Sequence, residues 1–538
     1  MERIHIEFQR VQTWLFAAPR LRAMVGANAL LGKCLRGGLA ELARKKESGW
    51  TLAPLEDGER YPTADPDDPI REHDDPAADA KDDSLASASS SAQRREDDDP
   101  ARDAKEGILS RDGGHFEAQF ESGAKDFAQE AARYLRKNLP GLRFRISIDQ
   151  KPILQTQTHL STELPVLAPC EWTGRGLASC SIEQGDERPA VSLDIKARHD
   201  EAKNTENSTE DGTAKDIASL LSAKTKLQNL DRAQELKELV GNGYLALIHA
   251  DGNGVGSGLG QGKPDHERAA FFHRNRVLLR RAVAKAIDTH CPDTGRAPLI
   301  PLMLGGDDLL LLARAEIALP FIVTMCATLD DLQKNTDGFK LTLGVGVVFA
   351  PYTVPIYRLH EVAEQLASSA KRRFRGLKGN GEPDRSVVDW AVFSTAWVDD
   401  PELVRRRDWL CGKDNELRVL SQRPVDVLGD GLDSLQGLVK GAEKLENAPR
   451  SQLRYLVEQL SRGRTLSELT FAELSKEARA PLAEAGIENP WRQTSNSGAW
   501  LTSLLDLVEV LEIPRLGRKT EPTGPSTDSS TTQKEVRP

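Results

Sequence analysis

The stretch Leu299-Ile-Pro-Leu-Met-Leu-Gly-Gly-Asp-Asp-Leu-Leu-Leu-Leu-Ala313 constrains the chain more than any other. It holds two apolar runs with Gly305-Gly306-Asp307-Asp308 between them. Runs of strand length joined by a tight glycine turn predict a β-hairpin. The turn is chemically costly. Asp307 and Asp308 are adjacent carboxylates in an apolar setting, where each loses hydration and repels the other, and a divalent cation is the usual partner that offsets this. Mg²⁺, or Mn²⁺ in its place, is therefore expected there. An ordinary solvated hairpin turn could contain the same four residues, so the surrounding sequence has to decide.

Upstream, Gly243-Tyr-Leu-Ala-Leu-Ile-His-Ala250 is another buried-strand pattern, and it runs into Asp251-Gly-Asn-Gly-Val-Gly256. A carboxylate at a strand end followed by a glycine-rich loop puts an acid beside backbone N–H groups, here at Gly252, Asn253 and Gly254, that can cradle phosphates. A helix follows around 267–288 with Phe272, Leu279, Val283 and Ile287 on one face. Then come the hairpin 299–313, a helix starting near Pro320, and a strand from Leu341 to Phe349. This βαββαβ order is a ferredoxin-like split βαβ unit, in which the end of the first strand lies beside the hairpin turn. Asp251, Asp307 and Asp308 are thus expected to converge as catalytic, metal-holding acids. Gly305 and Gly306 would let a base or sugar lie flat on the turn, which a Cβ would block. Lys371, on the helix after the strand that ends at Phe349, is placed to reach the same phosphates.

At this point the segment resembles the palm domain shared by GGDEF-type nucleotide cyclases and the large polymerase-like subunit of type III CRISPR effector complexes. Three features favour the second. The turn is Gly-Gly-Asp-Asp without a following Glu-Phe, and the first strand ends Ala250-Asp-Gly-Asn-Gly254. The run Pro351-Tyr-Thr-Val-Pro-Ile-Tyr357, with its helix ending Ala370-Lys371, is similar to that family's Pro-x-x-x-Pro-x-Tyr segment. These motifs cover 243–393. At the other end, the strand Ile4–Phe8 and then Val11-Gln12, Leu15-Phe16, Arg22, Gly26 and Ala27 resemble the start of the family's first palm. A His-Asp nuclease domain usually precedes that point. This chain opens on Met1-Glu-Arg-Ile, so no such nuclease is expected, and His73-Asp74 and His199-Asp200, in an acidic tract and a polar linker, carry no metal expectation.

With 538 residues the chain has room for two or three domains with real cores. Its net charge of −10 and pI near 5.7 argue against a protein that binds nucleic acid over its whole surface. The six cysteines have no paired spacing, so neither a disulfide framework nor a Cys-x-x-Cys zinc site is indicated. Where related subunits carry a zinc-binding Cys-x-x-Cys, this chain has Cys170-Glu-Trp-Thr, and no zinc is expected. A reducing cytoplasm fits. There is no signal-peptide h-region and no run approaching the ~20 apolar residues of a membrane span.

The remaining segments complete the expected organisation. Residues 1–200 read as a degenerate first palm, because the turn Asp112-Gly-Gly-His115 lacks paired carboxylates, with a disordered acidic insertion at about 62–105. A linker and connecting helix follow at 201–242, the catalytic palm at 243–400, a helical domain at 401–515 and a disordered tail at 516–538. The fold class is α+β: two ferredoxin-like palms plus an α-helical C-terminal domain. The resemblance implies Mg²⁺-dependent synthesis of cyclic oligoadenylate from ATP on target RNA recognition. It also implies other type III effector subunits, guide RNA and target RNA as partners, and no membrane. A stand-alone GGDEF-like cyclase and a catalytically silent scaffold subunit are the alternatives.

Overall fold

The computed structural model describes all residues except 19, 46–48, 71–97, 113, 156–167, 175, 184–186, 208–216, 260–261, 396–399, 414–415, 495–497 and 517–538. It is a mixed α/β structure with two six-stranded sheets. Among the described residues no helix is long and apolar enough to cross a membrane.

The amino-terminal sheet contains β1 (Glu2–Gln9), β2 (Thr51–Leu52), β3 (Ile108–Ser110), β4 (His115–Ser122), β5 (Arg143–Ile148) and β6 (Lys151–Gln155). Its order is β2-β4-β1-β5-β6, with β3 also paired to β4. Alternation along the strands places Ile4, Ile6, Phe116, Ala118 and Ile146 on one buried face. Helix α1 (Leu21–Gly32) shares this core. The short α2 (Pro100–Lys105) precedes β3, and α3 (Ala124–Asn138) lays Phe127 against Phe116 and Phe120, with ring centroids 6.2 and 4.7 Å away. A small hairpin, β7 (Cys180–Ser181) with β8 (Ala190–Val191), leads into α4 (Leu193–Asn207).

The central sheet is built from β9 (Tyr244–Gly252), α5 (Asp265–His290), β10 (Leu299–Gly305), β11 (Asp308–Arg314), α6 (Ala315–Leu332), β12 (Leu343–Pro351), α7 (Ile356–Gly379) and β13 (Val387–Val392). The order β10-β11-β9-β12 is that of a split βαβ unit, extended by β13 parallel to β12 through the α7 crossover. Both faces are covered, which is why its strands read as unbroken apolar runs. Ala246, Ile248 and Ala250 face one core with α5 and α6, while Leu245 and Leu247 share the other with α7 and the amino-terminal unit.

Four expectations need correction. Helix α6 starts at Ala315, so Pro320 lies inside it; burial of Phe321, Ile322 and Met325 outweighs the loss of one backbone hydrogen bond. The connecting segment is not one helix but three short ones, Ile217–Ala223, Lys226–Asn229 and Leu236–Val240. His199 and Asp200 belong to α4 rather than to a linker, with His199 buried beside Trp172; His73 and Asp74 lie outside the described residues. The region after 400 is helical but also contributes Val425–Asp426 to the central sheet and a small sheet of Leu410–Lys413, Glu416–Val419, Arg492–Gln493 and Trp500–Leu501. Strands of two to four residues are too short to show a period in sequence.

The acidic insertion is likewise built into the fold at both ends. Asp68 and Asp98 are buried on α5, where Arg280 Nη1 donates to them at 2.7 and 3.0 Å and Arg276 Nε reaches Asp98 at 3.0 Å. Asp99 caps α2, and Asp103 accepts from Arg111 at 2.7 Å. Asp112, in the β3–β4 turn, accepts from Arg36 at 3.0 Å. Residues 71–97, the middle of the tract, lie outside the described residues, as does the tail from 517.

Candidate active site

The hairpin register closes on Gly305 opposite Asp308, leaving Gly306 and Asp307 as the two turn residues. Gly306 has φ of 61°, the positive value that primed hairpin turns require and that only glycine adopts freely. On the neighbouring strand, Ala250 pairs with Leu309, so Asp251 emerges beside the turn. Asp251, Asp307 and Asp308 each bring one carboxylate oxygen within 4.8 Å of the others. The three acids expected to converge do so.

Two glycines allow the approach. A Cβ on Gly252 would lie 2.5 Å from Asp307 Oδ2, so a bare backbone is needed where the turn folds over the end of β9. Gly344 of β12 is the register partner of Asp251, and a Cβ there would lie 2.6 Å from Lys371 Cγ. With hydrogen in that place, α7 settles onto β12 and the Lys371 ammonium forms an ion pair with Asp251 Oδ2.

One cation does not balance three carboxylates. Burial, and then the Asp251 charge, push the Asp307 carboxyl up. Asp308 rises further, to about 8, through burial, the charge and hydrogen bond of Asp251, and the charge of Asp307. An all-oxygen donor set with excess negative charge suits a hard divalent ion, and Mg²⁺ or Mn²⁺ fits these residues.

The other expected residues divide. Gly305 and Gly306 have no atom within 4 Å of where a Cβ would stand, so the turn presents open backbone. Asn253 is 1% exposed; its Nδ2 donates to Thr342 Oγ1 at 3.2 Å and its N–H to the Thr342 carbonyl at 2.7 Å. Its side chain therefore orders the 252–254 loop instead of facing a ligand. The turn opens onto a cleft of about 1170 Å³ lined by Asp307, Asp308 and Glu364 and by Arg3, His5, Arg10 and His115 of the amino-terminal unit. Those amino-terminal residues were not anticipated, because a cleft shared by two sheets has no sequence signature. The alternation Gly344-Val-Gly346 in β12 marks the place where α7 approaches closely. Cys170 and Cys180 pack in a small apolar cluster with Ile182 and Val191.

Residues 244–376 match the family described as Cas10/Cmr2, second palm domain. No curated protein matches the chain. Solved structures similar to it include the apo Csm1-Csm4 cassette, at 13% identity over 96% of this chain and 70% of that one with a TM-score of 0.41. The Csm1-Csm4 cassette in complex with one ATP gives 13%, 96%, 70% and 0.44. The cassette in complex with cA4 gives 13%, 96%, 69% and 0.41.

Proposed function

We propose that this chain, whose residues 244–376 match the second palm domain of the Cas10/Cmr2 family, is the large subunit of a type III CRISPR effector complex that joins ATP 3′ to 5′ into cyclic oligoadenylate with release of pyrophosphate. The amino-terminal sheet is read as the degenerate first palm and the central sheet as the catalytic one, followed by a largely helical C-terminal domain. The observation that carries the activity is the convergence of Asp251, Asp307 and Asp308 under a single ammonium. A silent scaffold would gain nothing from keeping this costly cluster.

Asp251 and Asp307 would hold the metal, with Asp308 supporting them. A Mg²⁺ ion held by these residues would lower the pKa of the attacking 3′-hydroxyl and would neutralise charge at the α-phosphate and the leaving group. Burial and the neighbouring acids keep Asp308 protonated near neutrality, and metal binding would require it to release that proton. Lys371 would then exchange Asp251 for phosphate oxygens, and the loop after β9 would meet the triphosphate through Gly252 and Gly254, since the Asn253 N–H is committed to the Thr342 carbonyl. The open turn at Gly305 and Gly306 receives a base or sugar. The base and the cyclic product are those that the family resemblance implies.

Because Gly344 sets the distance between α7 and β12, Gly344→Val is expected to push Lys371 off Asp251. Overpacking of this kind costs about 1–3 kcal/mol, and misplacement on the order of 1 Å costs synthesis ~10²-fold. Thermal melts and product quantification on the same preparation check both.

The cleft is shared between two units, so their relative placement can gate it. Target RNA pairing with guide RNA in the assembled complex is the expected trigger, and a hundredfold activation needs only ~2.7 kcal/mol of differential binding. The test compares products by mass spectrometry from the isolated chain, the guide-loaded complex with its partner subunits, and that complex with matched target RNA. Synthesis rising at least a hundredfold in the third is expected. Equal rates in all three would favour a stand-alone cyclase, and no product in any would refute the activity.

A further inference from the structure

The side of β9 that faces α7 carries a second polar group one pleat before Asp251. His249 and His360 are each 7% exposed, and Glu364 follows His360 by one helical turn and reaches the cleft. One ligand atom from each of these three residues lies within 4.8 Å of the other two. The imidazoles stack with centroids 5.6 Å apart and planes 25° off parallel, and His360 Nδ1 is 3.8 Å from Glu364 Oε2. His249 Nδ1 and His360 Nε2 are buried without a hydrogen-bond partner. Buried ring nitrogens normally find one, and leaving two unsatisfied side by side is costly.

The surroundings are built to hold this group. Gly346 of β12 is the register partner of His249, and a Cβ there would lie 2.1 Å from the Ala363 carbonyl oxygen, so bare backbone lets α7 close over the imidazole. Phe16 of the amino-terminal unit covers His360 at 4.6 Å between centroids. Two imidazoles and one carboxylate with a side open to the cleft is a donor set for a borderline ion such as Zn²⁺ or Co²⁺, with water completing the shell, and not for Mg²⁺. The absence of paired cysteines, from which no zinc was expected, does not bear on a site of this kind.

We propose that His249, His360 and Glu364 bind a borderline divalent transition-metal ion, zinc foremost, at a site separate from the carboxylate cluster of Asp251, Asp307 and Asp308. The ion would clamp β9 to α7. Since His249 and Asp251 share a strand face, and His360, Glu364 and Lys371 share a helix, the clamp would fix the spacing at which Lys371 meets Asp251.

The experiment titrates the full chain with Co²⁺ in excess Mg²⁺, which occupies the oxygen site, and follows visible absorption. One equivalent of Co²⁺ with a tetrahedral-type d–d band, displaced by Zn²⁺, is expected. Glu364→Gln, at an exposed side chain that the fold does not need, should weaken binding ~10-fold or more, and His360→Gln should remove the band. No band in the parent chain, or an unchanged band in both variants, overturns the proposal. The readout involves no ATP, so it is independent of adenylate synthesis.

Discussion

Replacing both Asp307 and Asp308 by Asn is expected to lower adenylate synthesis by ~10³-fold or more, while raising the melting temperature of the metal-free chain at pH 8. The first effect follows from removing two of the three acids that would hold Mg²⁺. The second follows from the energetic state of the cluster without metal. Asp308 keeps its proton up to about pH 8 in the folded chain, whereas an unfolded carboxylate releases it at about 3.9. Between those values the folded state binds more protons than the unfolded one. The stability tied to this group is therefore complete below about pH 4, declines as pH rises, and stops declining above about pH 8. Asn carries no charge to bury, and relieving the repulsion should return about 1–2 kcal/mol. Calorimetry in EDTA from pH 5 to 8.5 should show the parent losing stability relative to the variant, and Mg²⁺ should flatten the parent's slope. Parallel profiles, or retained synthesis in the variant, would refute the assignment.

That such a cluster could be anticipated at all reflects how local its signals are. The hairpin was expected at 299–313 and occupies Leu299–Gly305 and Asp308–Arg314, because apolar runs and a glycine turn leave little freedom. The helix expected at 267–288 is Asp265–His290, and the last core strand is displaced by two residues, from 341–349 to Leu343–Pro351. Convergence of Asp251 with the turn followed from strand order. The clasp by Lys371 required the Gly344 contact, whose meaning depends on which helix packs there. What stayed hidden depends on partners remote in the chain. Asp68 and Asp98 sit in a tract whose composition reads as solvated, and they are buried only because Arg280, 212 and 182 residues away, meets them. His249 and His360 looked like ordinary members of a strand and a helix until α7 stacked one ring on the other.

Among single substitutions, the largest stability loss is expected from Arg280→Ala. Arg280 is 2% exposed and donates to Asp68 at 2.7 Å, Asp98 at 3.0 Å and Asp112 at 3.4 Å. Burial alone would raise Asp98, but Arg276, Arg280 and His273 hold it well below the ordinary carboxylate range. Removing the central guanidinium leaves buried carboxylates undercompensated, which costs about 3–5 kcal/mol, whereas neutralising a whole buried network with apolar residues can be nearly free. The same logic divides the acidic tract. If the tract were the disordered insertion that its composition implies, 64–104 could be deleted without effect. That deletion removes Asp68, Asp98 and Asp103 together, stranding Arg280, Arg276 and Arg111, and should destabilise at least as much as Arg280→Ala. Replacing only 72–96 with a Gly-Ser linker keeps Asp68, Asp98 and Asp103 and should cost less than the full deletion. Denaturant midpoints for the three variants distinguish the cases. If the 64–104 deletion proved silent, the ion cluster could not be what fixes the β3–β4 turn, through Asp112, to α5. The contrast between the two turns would then need another cause, for Asp112 is paired with arginines while Asp251, Asp307 and Asp308 share the Lys371 ammonium.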